Sequence, residues 1–235
     1  MKALILAAGL GSRLRPLTND VPKAMVQYKG IELIKHQINT LLENNITDIC
    51  VMTGYKSEIL QDFIFNSFDT KITILHNELY DSSNSAFSSM GAFENKINSN
   101  YIHINCDILF SSSLLKELIN DERENVLCVR GDITLTESME NIIGIKGRIV
   151  NMALRCSELA KYKGFGLAKI SQKALKENIA FYDSLNEAKQ RQENYYGLIR
   201  MSLGKVDYHY LESDQYNLYE LNTLEDFNQC TFRFK

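Results

Sequence analysis

Leu6-Ala7-Ala8-Gly9-Leu10-Gly11-Ser12-Arg13-Leu14-Arg15-Pro16-Leu17-Thr18-Asn19-Asp20-Val21-Pro22-Lys23 follows directly on Ala3-Leu4-Ile5, so a bare glycine loop, an arginine and a lysine come straight off an apolar run. A run such as Ala3 to Leu6 suits a strand buried on both faces of a parallel sheet. Gly9 and Gly11 lack a Cβ, which lets the chain take positive φ and lets a ligand lie against backbone amides, while Ala7, Ala8 and Ser12 keep the loop narrow. Arg13 offers a planar fork of donors for polyphosphate oxygens, and Lys23 a compact charge for a phosphate at another angle. Pro16 and Pro22 are the only prolines of the chain. Each fixes φ and restricts its neighbour, stiffening the loop where the two cations need to be aimed. The pattern is neither G-x-x-x-x-G-K-[ST] nor a dinucleotide fingerprint, because Leu14 stands where the latter needs a third small residue.

Outward from this segment, strands and helices alternate. Ile31 to Leu42 carries apolar residues at helical spacing, Ile49 to Met52 reads as strand and Glu58 to Phe65 as helix. Lys71 to Leu75 is strand, Ser85 to Phe93 helix and Tyr101 to Asn105 strand; Ser111 and Ser112 cap a helix through Ile119, and Val126 to Val129 is strand again. The pattern predicts an α/β fold, a Rossmann-like and mostly parallel mixed sheet flanked by helices, with ligands at the carboxyl ends of strands. Beyond about residue 132, Gly144, Gly147, Gly164 and Gly166 punctuate short β-like runs before helices near Gln172 to Phe181 and Tyr195 to Leu203. This part is expected to add antiparallel strands to the sheet. No linker or repeat interrupts the chain, so one domain is expected over 1–235, its two halves at 1–130 and 131–235.

A chain of 235 residues that is 45% hydrophobic buries a substantial core, and its net charge of −3 gives no pull toward nucleic acid or an anionic membrane. The apolar run after Met1-Lys2 stops at Gly9, short of an export signal, and no stretch reaches the roughly 20 residues that span a bilayer. Cys50, Cys106, Cys128, Cys156 and Cys230 form no C-x-x-C pair and fit buried thiols of a reducing cytoplasm. Cys106 beside Asp107 is read as packing rather than as a nucleophile. His103 is read as a hydrogen-bonded core residue, and His76, at a strand end, as the one histidine to test.

The full string from Leu6 to Lys23 resembles the signature of the nucleotidyltransferases that activate sugar phosphates and phosphocholine, L-A-A-G-x-G-[ST]-R-L-x-P-L-T followed by P-K. The likeness covers residues 1 to about 110 and about 195 to the end. It implies the nucleotide-diphospho-sugar transferase-like fold and transfer of a nucleotidyl group from a nucleoside triphosphate, with release of pyrophosphate. Leu6, Ala7, Ala8, Gly9, Gly11 and Ser12 would then surround the nucleotide, together with Gly54, Tyr80, Asn84 and Ser85. Arg13 would hold the β,γ-phosphates and Lys23 the charge at the α-phosphorus. Asp107, after the apolar strand, would bind Mg²⁺, which needs only one or two protein oxygens beside phosphates and water. Glu220-Leu221-Asn222 stands where the family most often has Glu-Ile-Asp, so Asn222 is a candidate second metal ligand; the other reading is the cap of the following helix with Glu225 completing a capping box, and both roles can coexist.

Thr53-Gly54-Tyr55 with Glu58, and His76-Asn77-x-x-Tyr80-x-x-x-Asn84, look like the short bacterial cytidylyltransferases of surface-polysaccharide pathways. The resemblance therefore implies CTP and a small phosphorylated acceptor such as phosphocholine or another amino-alcohol or amino-acid phosphate or phosphonate. Lys163, Tyr195 and Tyr196 are its candidate contacts, with a solvated surface lysine as the other reading of Lys163. Gly197 stands where phosphocholine enzymes carry an acidic residue. Two rivals stay open: a sugar-1-phosphate nucleotidyltransferase using UTP, dTTP or GTP, and a non-catalytic nucleotide-sensing subunit. The ending at Lys235 leaves no room for an appended β-helical acyltransferase domain. Neither a nucleic acid nor a membrane is expected as partner, and a homodimer is left open.

Overall fold

Successive residues of the first strand point to opposite sides of the sheet, and both sides are covered. Ala3, Ile5 and Ala7 belong to one apolar cluster and Leu4 and Leu6 to another, all of them buried, which is the period-2 alternation of a strand sandwiched between helix layers. The structure is a computed structural model and describes residues 1–137, 139–154 and 157–234. Its strands are β1 Lys2–Ala7, β2 Gln27–Tyr28, β3 Ile31–Glu32, β4 Asp48–Thr53, β5 Thr73–His76, β6 Tyr101–Asn105, β7 Ile108–Phe110, β8 Val126–Arg130, β9 Asn141–Ile145, β10 Arg148–Ala153, β11 Tyr162–Ile170, β12 His209–Ser213 and β13 Leu218–Glu220. Its helices are α1 Leu33–Glu43, α2 Ser57–Ser67, α3 Ser85–Asn95, α4 Ser112–Asn120, α5 Gln172–Asp183, α6 Glu187–Gln192, α7 Tyr195–Ser202 and α8 Leu224–Gln229.

The main sheet runs β5-β4-β1-β6-β11-β8-β12-β10-β9. Its first four strands are parallel, joined by crossovers that carry α1, α2 and α3. The antiparallel pairings expected in the second half are not confined to the edge formed by β10 and β9: β11 lies between β6 and β8, antiparallel to both, and its first residues also pair with β9. It runs through Gly164 and Gly166, which look like breaks in the sequence. A Cβ at Gly166 would stand 2.3 Å from the side chain of Asn105, so this glycine makes room for a neighbouring side chain within a strand.

The elements read in the first half match the structure, with one local difference. α1 begins at Leu33 rather than Ile31, because Ile31–Glu32 fold back on Gln27–Tyr28 as a hairpin whose turn residues Lys29 and Gly30 have φ of 49° and 81°, the geometry of a two-residue turn that follows strand twist. α6 and β12 carry no distinct sequence signal and were not anticipated. Cys50, Cys106 and Cys128 are buried free thiols and Cys230 is half-buried; Cys156 lies outside the described residues. Among the described residues no helix is long and apolar enough to cross a membrane.

A smaller apolar cluster closes the end of the sheet where β1 and β6 terminate. Leu14, Val26, Tyr28, Leu33, Leu109, Leu221 and Phe232 are buried together, so the glycine loop, the β7/β13 ribbon and the C-terminal segment share one small core. Burying Leu14 alone supplies on the order of 2 kcal/mol. The Tyr28 hydroxyl donates to the Cys230 carbonyl at 2.7 Å, tying the C-terminal segment down.

His103 sits in the middle of β6, almost fully buried, with its ring flat on Tyr195 at 3.5 Å between centroids. Nε2 lies 3.0 Å from Asn105 Oδ1 and Nδ1 has no partner among the described residues, an arrangement that suits a neutral imidazole donating from Nε2. Burial pulls its pKa down to about 3. The unfolded chain takes up this proton near pH 6.5 while the folded chain does not, so His103 lowers stability progressively as pH falls from 6.5 toward 3. Relative to pH 8, this costs on the order of 2 kcal/mol at pH 5. In His103→Phe that increment is absent, and urea titrations of the two proteins from pH 8 to pH 5 should show the stability of the variant falling by correspondingly less.

Candidate active site

Two chemically different segments are brought to Asp107 by backbone pairing. β7 follows Asp107 directly and pairs antiparallel with β13, Ile108 opposite Glu220, and the Leu221 N–H donates to the Asp107 carbonyl at 2.8 Å. Glu220-Leu221-Asn222 is thereby laid alongside the turn that carries Asp107. From below, the fully buried Gln37 of α1 donates its amide to the carbonyls of Asn105 at 2.9 Å and Ile108 at 2.8 Å, clamping that turn from both sides.

The glycine loop is fixed just as closely. Gly11 has φ of 63°, and a Cβ there would press on Lys23 and Thr18 at 3.1 Å, so both conformation and space call for glycine. The buried Thr18 hydroxyl donates to the Gly11 carbonyl at 2.9 Å, and Ser12–Leu14 form one 3₁₀ turn. The Arg15–Pro16 bond is cis.

These supports converge on a cluster of four polar side chains. Lys23 Nζ donates to Asp107 Oδ2 at 2.7 Å and to Asn222 Oδ1 at 3.0 Å, and Arg13 Nη2 donates to the same Asn222 oxygen at 2.9 Å. Asp107 Oδ1 is buried and accepts no hydrogen bond among the described residues. A carboxylate oxygen without a partner in so confined a place is an unused coordination position. Asn222 does not cap α8. The cap is one residue later: Thr223 and Asp226 form a reciprocal capping box, which leaves Glu225 out and the Asn222 side chain free to turn toward Lys23 and Arg13.

The cluster forms the wall between two compartments. The first, about 360 Å³, is bounded by Leu6, Ala8, Gly9, Gly11, Ser12 and Lys23 on one side and by Tyr80, Asn84 and Ser85 on the other. The second, about 380 Å³, is bounded by Lys163, Tyr195, Tyr196, Glu140 and Glu220. Arg13, Ser85, Asn105, Asp107 and Asn222 line both. Two residues assigned to the nucleotide do not reach the cleft. Ala7 faces the core because it alternates with Leu6 and Ala8, and Gly54 packs behind Ala8, whose carbonyl accepts the Tyr55 N–H at 3.0 Å. Ser83 and Cys106 also line the first compartment, as do Leu10, Ser88 and Asn105, and these last three escaped the sequence reading. Asn105 alone left a clue, as the polar last residue of an apolar strand.

In the second compartment Lys163 is not a solvated lysine: it is paired with Glu220 and lies 4.6 Å from the Phe165 ring centroid. Glu140 accepts two hydrogen bonds from Arg200, at 2.7 and 2.6 Å, while burial pushes its pKa up. Tyr196 donates its hydroxyl to the Phe165 carbonyl. The Tyr195 hydroxyl is engaged with Tyr101 at 2.8 Å, so Tyr195 shows the compartment the edge of a ring and no free polar group. Burial holds the Cys106 thiol up at about 12, unsuited to nucleophilic attack. His76 lies apart from both compartments, in a neighbouring groove beside α3.

The family model for "Nucleotidyl transferase" matches residues 2–144. The chain belongs to this nucleotidyl transferase family. It is 30% identical over 202 residues to the CTP:phosphoglutamine cytidylyltransferase of Campylobacter jejuni, covering 79% of each chain. It is 25% identical over 230 residues to the choline-phosphate cytidylyltransferase of Streptococcus pneumoniae, covering 97% of this chain and 96% of that one. In fold it resembles the inositol-1-phosphate CTP transferase from T. maritima, with a TM-score of 0.81 at 21% identity over 97% of this chain and 91% of that one. The protein is a nucleotidyltransferase, and the glycine loop that carries the family signature is the loop that lines the first compartment.

Replacing Asp107 by Asn keeps the shape of the cluster and removes its only carboxylate. Asp107→Asn is expected to lower pyrophosphate release by roughly 10²- to 10³-fold while shifting the melting temperature by only a few degrees. Steady-state kinetics and a thermal melt on the same preparation check both.

Proposed function

We propose that the enzyme transfers CMP from CTP to a small acceptor that carries a phosphate or phosphonate, releasing pyrophosphate. The observation that carries this reading is the shared wall: two compartments of similar size meet at Arg13, Asp107 and Asn222, the arrangement an in-line displacement between two bound anions needs. The first compartment takes the nucleotide, its phosphates along Gly9 to Arg13 and Lys23. Arg13 holds the β,γ-phosphates and Lys23 sits at the α-phosphorus. An oxygen of the acceptor phosphate attacks the α-phosphorus, the bond to the bridging oxygen breaks, and that oxygen leaves on pyrophosphate. The attacking oxygen is already anionic, so no proton has to be removed, and rate comes from positioning and charge compensation. The choice of CTP rests on the likeness to the two cytidylyltransferases and on Asn77, Tyr80 and Asn84.

Magnesium fits this site on its chemistry. Asp107 Oδ1, buried and without a partner, and the Asn222 amide oxygen are hard oxygen donors, and Mg²⁺ takes few protein ligands when phosphates and water complete its shell. Asp107 and Asn222 would hold it, and when bound it would neutralise charge on the triphosphate. The Lys23 ammonium that now contacts both groups is then free for the α-phosphate.

The acceptor enters the second compartment, where Lys163 is the cation for its phosphate. At rest Lys163 and Glu220 neutralise each other. An arriving phosphate draws Lys163 away and leaves the Glu220 carboxylate to an ammonium group on the same molecule. This favours zwitterionic acceptors, such as amino-alcohol or amino-acid phosphates and phosphonates, over sugar phosphates, which carry no cationic group. An acidic side chain at Gly197 would run into Glu193, whose carboxylate lies 1.8 Å from the Cβ position, so any carboxylate meeting the acceptor comes from elsewhere. We place the reaction in the making of a surface polysaccharide.

Pyrophosphate release measured over the four ribonucleoside triphosphates and dTTP, each with phosphocholine, other amino-alcohol phosphates, amino-acid phosphates and sugar 1-phosphates, tests the proposal. CTP with a zwitterionic acceptor is expected to exceed every other pair by at least about tenfold in kcat/KM; preference for UTP, dTTP or GTP with a sugar phosphate would overturn it. Lys163→Ala should raise KM for the acceptor by about tenfold or more while leaving KM for CTP within about twofold.

A further inference from the structure

The CTP preference proposed above has a physical source in a hydrogen-bond chain behind the cleft. Ser83 and Ser88 line the first compartment and not the second, and Ser88 also borders the separate groove beside α3. Neither belongs to the shared wall, so with the phosphates along Arg13 and Lys23 they are left to face the base. Behind them is Asn77, 5% exposed. Its Oδ1 accepts the Leu79 N–H at 2.9 Å, and its Nδ2 donates to Ser83 Oγ at 3.0 Å and to Ser88 Oγ at 2.9 Å. The Leu79 N–H can only donate, which fixes the orientation of the amide and turns both of its protons toward the serines.

Each serine oxygen therefore accepts, and its own proton has to go elsewhere. Ser83 places its proton on the Leu79 carbonyl at 2.7 Å. Ser88 makes no other side-chain hydrogen bond among the described residues, so its hydroxyl proton remains to be given to whatever occupies the cleft. We infer that Asn77 locks Ser88 as a hydrogen-bond donor, and that this donor reads N3 of the pyrimidine, selecting cytosine over uracil. Cytosine N3 carries a lone pair and receives the proton. Uracil N3 carries a hydrogen, so two donors would face each other and the buried hydroxyl would be left unsatisfied, the kind of mismatch a polar site rejects strongly. Asn77 is a positioning residue here, acting through Ser88.

Exchanging the amide for a carboxylate reverses the polarity without changing the shape. In Asn77→Asp at pH 8 the side chain still accepts from Leu79 but has no proton to give, so Ser83 and Ser88 donate to it and Ser88 turns a lone pair to the cleft. The expected readout is kcat/KM for CTP and UTP with one acceptor: the CTP:UTP ratio falls by about 10-fold or more, and kcat/KM for UTP rises in absolute terms, which general damage to the fold cannot produce. Ser88→Ala removes the donor and should also lower the ratio by about 10-fold, through loss of CTP activity. A folded Asn77→Asp in which both nucleotides fall in parallel overturns the inference. If that variant does not fold, an unchanged ratio in Ser88→Ala overturns it. A wild-type enzyme that prefers UTP removes the functional reading itself, whereas wild-type CTP preference with unchanged ratios in the variants removes only the role of Asn77 and Ser88.

Discussion

Everything at the junction of the two compartments depends on how Asp107 is held. One carboxylate oxygen is satisfied by Lys23 and the other is buried with nothing to accept, a state that costs stability unless the environment fixes the group in place. The environment does so through the main chain. Gln37 grips the turn by two carbonyls, the Leu221 N–H takes the Asp107 carbonyl, and the β7/β13 ribbon continues the pairing away from the site. The side chain is left with one committed oxygen and one open one, and Arg13, Lys23 and Asn222 close around it from distant parts of the sequence.

The sheet explains why so polar a cluster can be rigid. β1 and β6 are neighbours buried on both faces, so the loop after β1 and the turn after β6 emerge side by side at the carboxyl ends of parallel strands. β11 sits antiparallel against β6, and its residues Lys163 and Gly164 line the second compartment. In the proposed reaction one side of the β1/β6 pair would serve the nucleotide and the other the acceptor. The small apolar cluster around Leu14, Leu221 and Phe232 binds the loop, the ribbon and the C-terminal segment into one support. A change in any of the three is felt at Asp107 through packing.

Much of this was legible in the sequence because it is local. The apolar run before Gly9, the strand before Asp107 and the serine cap of α4 each announce themselves within a few residues. What escaped is non-local. Nothing near Gln37 shows that its amide will meet the carbonyls of Asn105 and Ile108, and nothing near residue 222 shows which of two adjacent polar residues will cap α8. Thr223 wins that competition because Asp226, three residues on, can return the hydrogen bond, and Asn222 is released to the site. Gly166 reads as a strand break, yet it is the space in which Asn105 lies. Ala7 and Gly54 carry the right local chemistry for a nucleotide loop and are turned away from it by strand alternation and by packing behind Ala8. Ser83 and Ser88 have no periodicity to betray them, and they matter only through a buried asparagine.

The central claim is that one anchored carboxylate joins two anion-binding compartments around a metal-bound triphosphate. The most direct test is a crystal grown with a non-hydrolysable CTP analogue and Mn²⁺, with the metal located by its anomalous signal. The account predicts a peak within coordination distance of Asp107 Oδ1, the α-phosphate between it and Lys23, and the phosphate chain along Gly9 to Arg13. A peak remote from Asp107, or a triphosphate that bypasses the glycine loop, would contradict it.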